Sequence, residues 1–193
     1  MYRAITFLSA LIVACLVTAL TIAQEPPEFP GPEKEHQWLQ QFAGEWTTTS
    51  KGSIGPDQPP MECSGTIKSR MIGEFWVVNE MKSTIQGDSM QGLQTIGYDA
   101  SKKKYVGTWV DSMMNHMWIY EGTVDESGSK LTLEAEGPNF MAPGKLTKFR
   151  DAYEFKTPDH IIVTSSMLGE DGKWITFMTG DSVRKPITGS DSE

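Results

Sequence analysis

Hydrophobic and polar residues alternate along most of the chain after residue 44, a pattern that predicts β-strands. Successive side chains of a strand point to opposite faces, so apolar residues at every second position mark a single buried face. The residues that this alternation assigns to an inner face, stretch by stretch, are Met61, Cys63, Ile67 and Met71; Phe75, Val77, Asn79 and Met81; Leu131, Leu133 and Ala135; and Phe149, Asp151, Tyr153 and Phe155.

Residues 92–120 predict three consecutive antiparallel strands joined by tight turns. They are rich in Thr, Val and aromatic residues and include two Trp, three Tyr and three Met. A meander with two solvated faces does not need so much large apolar surface, whereas the wall of a closed barrel does. About ten strands are predicted along the chain, so the fold class is an all-β, antiparallel up-and-down β-barrel.

A short helix is predicted over residues 33–42. Trp38, Leu39 and Phe42 share one helical face, acidic residues occupy the first turn, and Gly44 follows the end. This helix is expected to close one end of the barrel, and residues 33–185 form the single domain.

The N-terminus predicts export. Residues 1–23 carry one charge, Arg3, before an apolar run, and the small residues before Gln24 suit signal-peptide cleavage. An uncleaved membrane anchor is an alternative, as is a lipoprotein in which Cys15 is lipidated; only these two would bring the protein to a membrane. Residues 24–32 predict a Pro-rich linker and residues 186–193 a flexible tail. The expected location is secreted or periplasmic.

The charge of the chain argues against nucleic-acid binding, and its cysteine content argues against a fold held by disulfides. Removing residues 1–23 takes away Arg3 and no acidic residue, so the net charge goes from −8 to −9. Such an acidic chain lacks the basic surface that nucleic acids attract. Cys63 would be the only cysteine left, so the predicted domain is held by its core rather than by a disulfide.

Several short motifs resemble the DUF1579 family, a bacterial domain of unknown function. They are GYD at 97–99, KYV at 104–106, TWVDSM at 108–113, EG at 121–122, WL at 38–39, GEW at 44–46, DH at 159–160, DGK at 171–173 and RK at 184–185. The resemblance covers roughly residues 32–185. It implies a fold but no activity.

At the level of the fold the chain also resembles lipocalin-like (calycin-type) barrels. These often begin with a short helix that leads into Gly-x-Trp, here residues 44–46, and a late basic residue packs over the Trp. The resemblance implies that Trp46 lies buried beneath Arg184 and that the pair closes the barrel end by cation–π stacking.

No nucleophile–base motif, phosphate-binding loop or clustered Cys/His spacing is present in the sequence. The three histidines, His36, His116 and His160, are far apart, and hydrogen-bonded or surface roles are expected; no metal or cofactor is predicted. His116 shares its alternation with Trp118 and could face the interior, where a haem-binding barrel would use it as an axial ligand.

Polar residues on apolar faces point to an interior ligand site. Asp151, Asn79 and Asp111 interrupt inner faces, and a buried carboxylate requires a partner. Asp111, next to a chain reversal, is expected to cap it. Met61, Met71, Met81 and Met113 also fall on the inner side and suit adaptable apolar space.

The residues predicted to converge on one cavity are Asn79, Tyr98, Trp109, Trp118, Asp151 and Tyr153. The leading hypothesis is therefore a non-enzymatic exported barrel that binds a small apolar or amphipathic ligand. The alternatives are an enzyme that uses Asp111, Asp151 or His116 as acid or base, a haem-binding barrel, and a module whose outer surface is functional. Nothing in the sequence indicates the oligomeric state.

Overall fold

The structure, a computed structural model, describes residues 29–53 and 60–186, and its domain begins at Pro32. The predicted signal peptide 1–23, most of the linker 24–32 and residues 187–193 of the predicted tail lie outside the described residues.

The domain consists of one helical segment and ten antiparallel strands, as the alternation predicts. Helix α1 spans Lys34–Trp38 and continues as a 3₁₀ helix, Leu39–Phe42. The strands are β1 (Gly44–Gly52), β2 (Met61–Ile72), β3 (Trp76–Ile85), β4 (Asp88–Asp99), β5 (Lys104–Asp111), β6 (Trp118–Val124), β7 (Lys130–Pro138), β8 (Leu146–Thr157), β9 (His160–Leu168) and β10 (Trp174–Arg184).

Each strand pairs with its neighbours in sequence, and β10 pairs with β1, so the sheet closes on itself. The predicted up-and-down β-barrel is confirmed. Closure removes the free edges that an open sheet would expose to pairing with other chains.

The inner faces are those that the alternation predicts. Along β2, Cys63, Ile67 and Met71 are less exposed than their neighbours, and along β7, Leu131 and Leu133 are fully buried. Met113 is an exception at 60% exposure. Because β5 ends at Asp111, the alternation stops before Met113, which belongs to the following loop.

The helical segment covers one end of the barrel and is held there by rings. Trp38 packs edge to face against Tyr105 and Phe155, and Phe42 packs against Phe155 and Tyr153. The Trp38 Nε1–H also donates a hydrogen bond to the Gly128 carbonyl, 2.7 Å away. The predicted helix that closes one end is therefore confirmed, with its second half wound as a 3₁₀ helix.

Candidate functional site

The barrel encloses an apolar cavity of about 280 Å³. Its lining extends from Phe42 and Trp46 beneath the helical segment to Met114 and Phe140 in loops at the opposite end. Ten strands enclose a wider interior than eight, and here the inward side chains leave part of that interior unfilled.

Five of the six residues predicted for the cavity line it: Asn79, Trp109, Trp118, Asp151 and Tyr153. Their strands, β3, β5, β6 and β8, place them on inward positions of the barrel wall. Cys63 and Met81 are also part of the lining.

The prediction for Tyr98 is wrong. Tyr98 does lie on an inward position of β4, but its ring packs edge to face with His36 at 5.5 Å and Tyr105 at 5.3 Å. It stands one residue before the end of β4, under helix α1, and is not among the lining residues. Alternation gives the face of a side chain but not its height along the barrel axis.

Asp151 is the central polar group of the cavity. Its Oδ2 accepts a hydrogen bond from the Tyr120 hydroxyl at 2.6 Å, and its Oδ1 accepts one from the Ser165 hydroxyl at 2.5 Å. Ser165 faces Asp151 directly across β9 and β8. Burial raises the pKa of the Asp151 carboxyl above its usual value, while these two hydrogen bonds oppose the shift.

The same environment shifts the pKa of Tyr120. Burial, reinforced by the nearby Asp151 carboxylate, raises the pKa of the Tyr120 phenol well above its usual value. Burial likewise raises the pKa of Tyr153. Both phenols therefore remain protonated at neutral pH and do not act as bases.

A second polar group joins Asn79, Gln94 and Tyr153. The Asn79 side-chain amide donates to Gln94 Oε1 at 2.9 Å, and Gln94 Nε2 donates to the Tyr153 hydroxyl at 2.7 Å. Asn79 and Gln94 are direct partners across β3 and β4. The Asn79 Oδ1 and the Ser83 hydroxyl are buried without a hydrogen-bond partner in the described part of the chain.

Gln94, Ser165 and Tyr120 were not predicted as site residues. Gln94 and Tyr120 occupy inward positions of β4 and β6, so the alternation places their side chains inside. Their importance comes from the partners that they reach across strands, and single-strand alternation carries no information about those partners.

Asp111 both lines the cavity and caps the following loop. Its Oδ1 accepts hydrogen bonds from the backbone N–H groups of Met113 and Met114, and its Oδ2 accepts one from Trp109 Nε1 at 2.8 Å. These bonds agree with the expected capping role and hold the Trp109 indole in place.

Arg184 lies over Trp46 at the helical end, with the guanidinium carbon 4.1 Å from the ring. Trp46 is buried, and its Nε1–H donates to the Phe42 carbonyl at 2.8 Å. Arg184 Nη2 donates to the carbonyls of Gln41 and Pro158, each at 2.9 Å. The arginine thus joins the end of the 3₁₀ helix to the β8–β9 turn.

The three histidines each have a hydrogen-bond partner outside the cavity. His36 accepts from the Glu33 N–H through Nδ1 and reaches the Tyr98 carbonyl through Nε2, and His160 lies 2.6 Å from the Asp181 carboxylate.

His116, which the alternation could turn toward the interior, is not among the residues that line the cavity: its Nε2 lies 3.2 Å from the Glu136 carbonyl, and its ring packs edge to face with Trp118. Among the described residues, no three His, Cys, Asp or Glu side chains are grouped so as to hold a metal ion. Nor does the described part contain a helix long and apolar enough to span a membrane.

Comparison with known proteins shows a family match and solved structures of similar fold. A family model described as "Protein of unknown function (DUF1579)" matches residues 31–184. The solved structure of Rv2717c from M. tuberculosis is 13% identical over 80% of this chain and 99% of its own length, with a TM-score of 0.60.

The S-type phycobiliprotein lyase CPES from Guillardia theta is 14% identical over 81% of this chain and 99% of its own, with a TM-score of 0.55. At such identities the likeness is one of fold. Comparison with curated proteins gave no significant sequence match.

Proposed function

Because this chain belongs to the DUF1579 family of proteins of unknown function, whose model assigns no activity, we propose its function from the cavity. The protein is an exported, non-enzymatic barrel that binds one small apolar or amphipathic molecule in its interior. The observation that carries this proposal is an apolar cavity of about 280 Å³ whose lining includes Asn79 and Ser83, each with a buried oxygen that has no hydrogen-bond partner among the described residues.

The size of the cavity supports a small ligand. An engineered protein cavity of about 150 Å³ is large enough for benzene. The present cavity is nearly twice that size, so it suits a compact ligand such as a pair of rings or a medium-length acyl chain. Apolar walls with a few placed polar groups are the usual composition of such sites.

The arrangement supports binding better than acid–base catalysis. Asp111 is committed to the loop and to Trp109, and His116 lies outside the lining. Asp151 is held by two hydroxyl donors and has no imidazole beside it to act as base for Ser165. The haem-binding alternative required His116 as the axial ligand, and His116 lies outside the cavity lining.

Dye binding tests the proposal. An apolar dye whose fluorescence rises on leaving water, such as N-phenyl-1-naphthylamine, is titrated into the protein of residues 24–193. We expect saturable binding in the micromolar range, at about one dye per chain. No saturable binding would contradict the proposal.

A matched pair of variants locates the dye. Ser83→Leu adds bulk inside the cavity and removes a hydroxyl that has no hydrogen-bond partner among the described residues, so it should weaken binding about tenfold or more. Thr84→Leu makes a similar change on the outer face of the same strand and should leave binding unchanged. Equal effects of the two variants would place the dye outside the cavity.

Export is a separate part of the proposal and rests on residues 1–23. The protein recovered from outside the cytoplasm should begin at Gln24 on N-terminal sequencing. A chain that still begins at Met1, or one that begins at a lipidated Cys15, would support the membrane-attached alternatives.

A further inference from the structure

We propose that the ligand of this cavity carries a protonated amine or a similar cationic group at its polar end. The inference rests on the proposed interior binding function and specifies the chemistry of the ligand. It starts from the charges that line the cavity. The lining contains the acidic residues Asp111 and Asp151, and no lysine, arginine or histidine of the described chain contributes to it.

An anionic ligand would therefore meet only like charge. A fatty acid or a phosphate ester would bury its negative group near Asp151 with no cation in the described lining to offset the lost hydration. A cationic group would instead pair with a carboxylate in surroundings of low dielectric constant, where that attraction is strong.

Asp151 can accept further hydrogen bonds. A carboxylate offers about four lone-pair sites, and Tyr120 and Ser165 use one on each oxygen. No salt bridge to a basic side chain neutralises Asp151 in the described structure, unlike Glu134, which pairs with Arg150. The protein thus holds an acidic group of the cavity wall between two hydroxyl donors, and the described lining supplies no opposite charge.

Asn79 provides a second, independent polar anchor. It is 6% exposed, lines the cavity, and leaves one end of its side-chain amide without a partner in the described residues. Rotating both amides of the Asn79–Gln94 pair would exchange oxygen for nitrogen and still leave one end of Asn79 unused. A buried amide without a partner is costly, so a bound polar group that supplies the missing hydrogen bond gains affinity.

Aromatic residues lie next to Asp151 on the cavity wall. Phe149 and Tyr153 flank it on the inner face of β8, and Tyr120 contacts it through its hydroxyl. Ring faces attract ammonium groups, and aromatic rings together with a carboxylate form a common recognition site for organic cations. Charge, hydrogen-bonding capacity and ring content therefore favour the same class of ligand.

Displacement of N-phenyl-1-naphthylamine by three matched eight-carbon compounds tests the inference. At a pH of about 7 octylamine is protonated, octanoate is ionised and octanol is neutral. We expect octylamine to displace the dye at a concentration at least about tenfold lower than octanoate, with octanol between them.

Two isosteric variants test whether Asp151 causes the preference for the amine over the carboxylate. Asp151→Asn should reduce the ratio of amine to carboxylate affinity to within about threefold, because the amide keeps the size, accepts a hydrogen bond from one hydroxyl and donates one to the other, but loses the charge. Asp88→Asn removes the same charge from the exposed first residue of β4, outside the lining, and should leave the ratio as in the wild type.

Octanoate binding as tightly as octylamine to the wild-type protein would overturn the inference even if Asp151→Asn did not fold. A ratio that fell equally in both variants would also overturn it, since the preference would then come from net charge. Failure of the dye itself to bind would contradict the proposed function instead, so the two failures are distinguishable.

Discussion

Truncation of Arg184 should destabilise the barrel far more than truncation of an arginine on its outer wall. The side chain lies over the Trp46 ring and donates to carbonyls of the 3₁₀ helix and of the β8–β9 turn, while Nε pairs with Asp159 at 2.9 Å. Arg184→Ala removes all of these contacts together and frees the end of the helical segment. Its side chain is only 22% exposed, so water replaces the lost contacts incompletely.

The magnitude follows from the separate contacts. Cation–π stacking on a buried Trp contributes about 1–2 kcal/mol. Hydrogen bonds from a charged group contribute about 1.5–3 kcal/mol each before rehydration of the carbonyls is allowed for. The exposed Asp159 pair adds at most about 1 kcal/mol. Since the carbonyls near the surface regain water and such terms do not add fully, we expect a loss of about 2–4 kcal/mol.

Arg150 is the matched control. Its guanidinium carbon lies 3.9 Å over the Trp174 ring, and it pairs with Glu134, but its side chain is 36% exposed and has no hydrogen bond to a helix end in the described structure. Arg150→Ala should therefore cost no more than about 1 kcal/mol.

The free energy of unfolding is measured for both variants by urea titration, followed by Trp fluorescence and circular dichroism. The slope of the transition should remain unchanged while its midpoint falls. Equal small losses for Arg184→Ala and Arg150→Ala would refute the argument, because stacking alone would then account for both.

Three further predictions concern the interior. Because the pKa of Asp151 is raised in the folded state, the folded protein keeps this proton to a higher pH than the unfolded chain does. The stability of the wild type therefore falls as pH rises from 3.8 through the raised pKa. Asp151→Asn lacks this titration, so its urea midpoint relative to that of the wild type should rise over the same pH window. A midpoint difference independent of pH would show that Asp151 is not desolvated. Gly92→Ala would bring its Cβ to about 2.1 Å from the Trp109 ring and should cost about 1–3 kcal/mol and weaken dye binding; a neutral variant would mean that the indole moves freely. Cys63 lines the cavity, so bound dye should slow its alkylation by iodoacetamide about fivefold or more, and an unchanged rate would place the dye elsewhere.

The sequence predicted much of the fold because a barrel wall imposes a period of two on every strand. Leu131, Leu133 and Phe149 are buried as their alternation requires, and the ten strands follow from its repeated interruption by turns. The positions of Trp46 and Arg184 at the helical end were expected from resemblance to other barrels.

The site was only partly predictable, because each polar group in it is completed by a residue from another strand. Asn79 meets Gln94 through the β3–β4 register, and Asp151 meets Ser165 through the β8–β9 register. Neither Gln94 nor Ser165 stands out in its own stretch of sequence.

Within the strands, local periodicity determined which side chains of this protein face inward, because that depends only on neighbours along one strand. The tertiary structure decided three other matters: the height of Tyr98, the exposure of Met113 and the absence of His116 from the cavity lining. Height, register and strand ends depend on contacts between distant segments. The unfilled interior likewise depends on how the ten strands are arranged around the barrel axis, which no single stretch of sequence specifies.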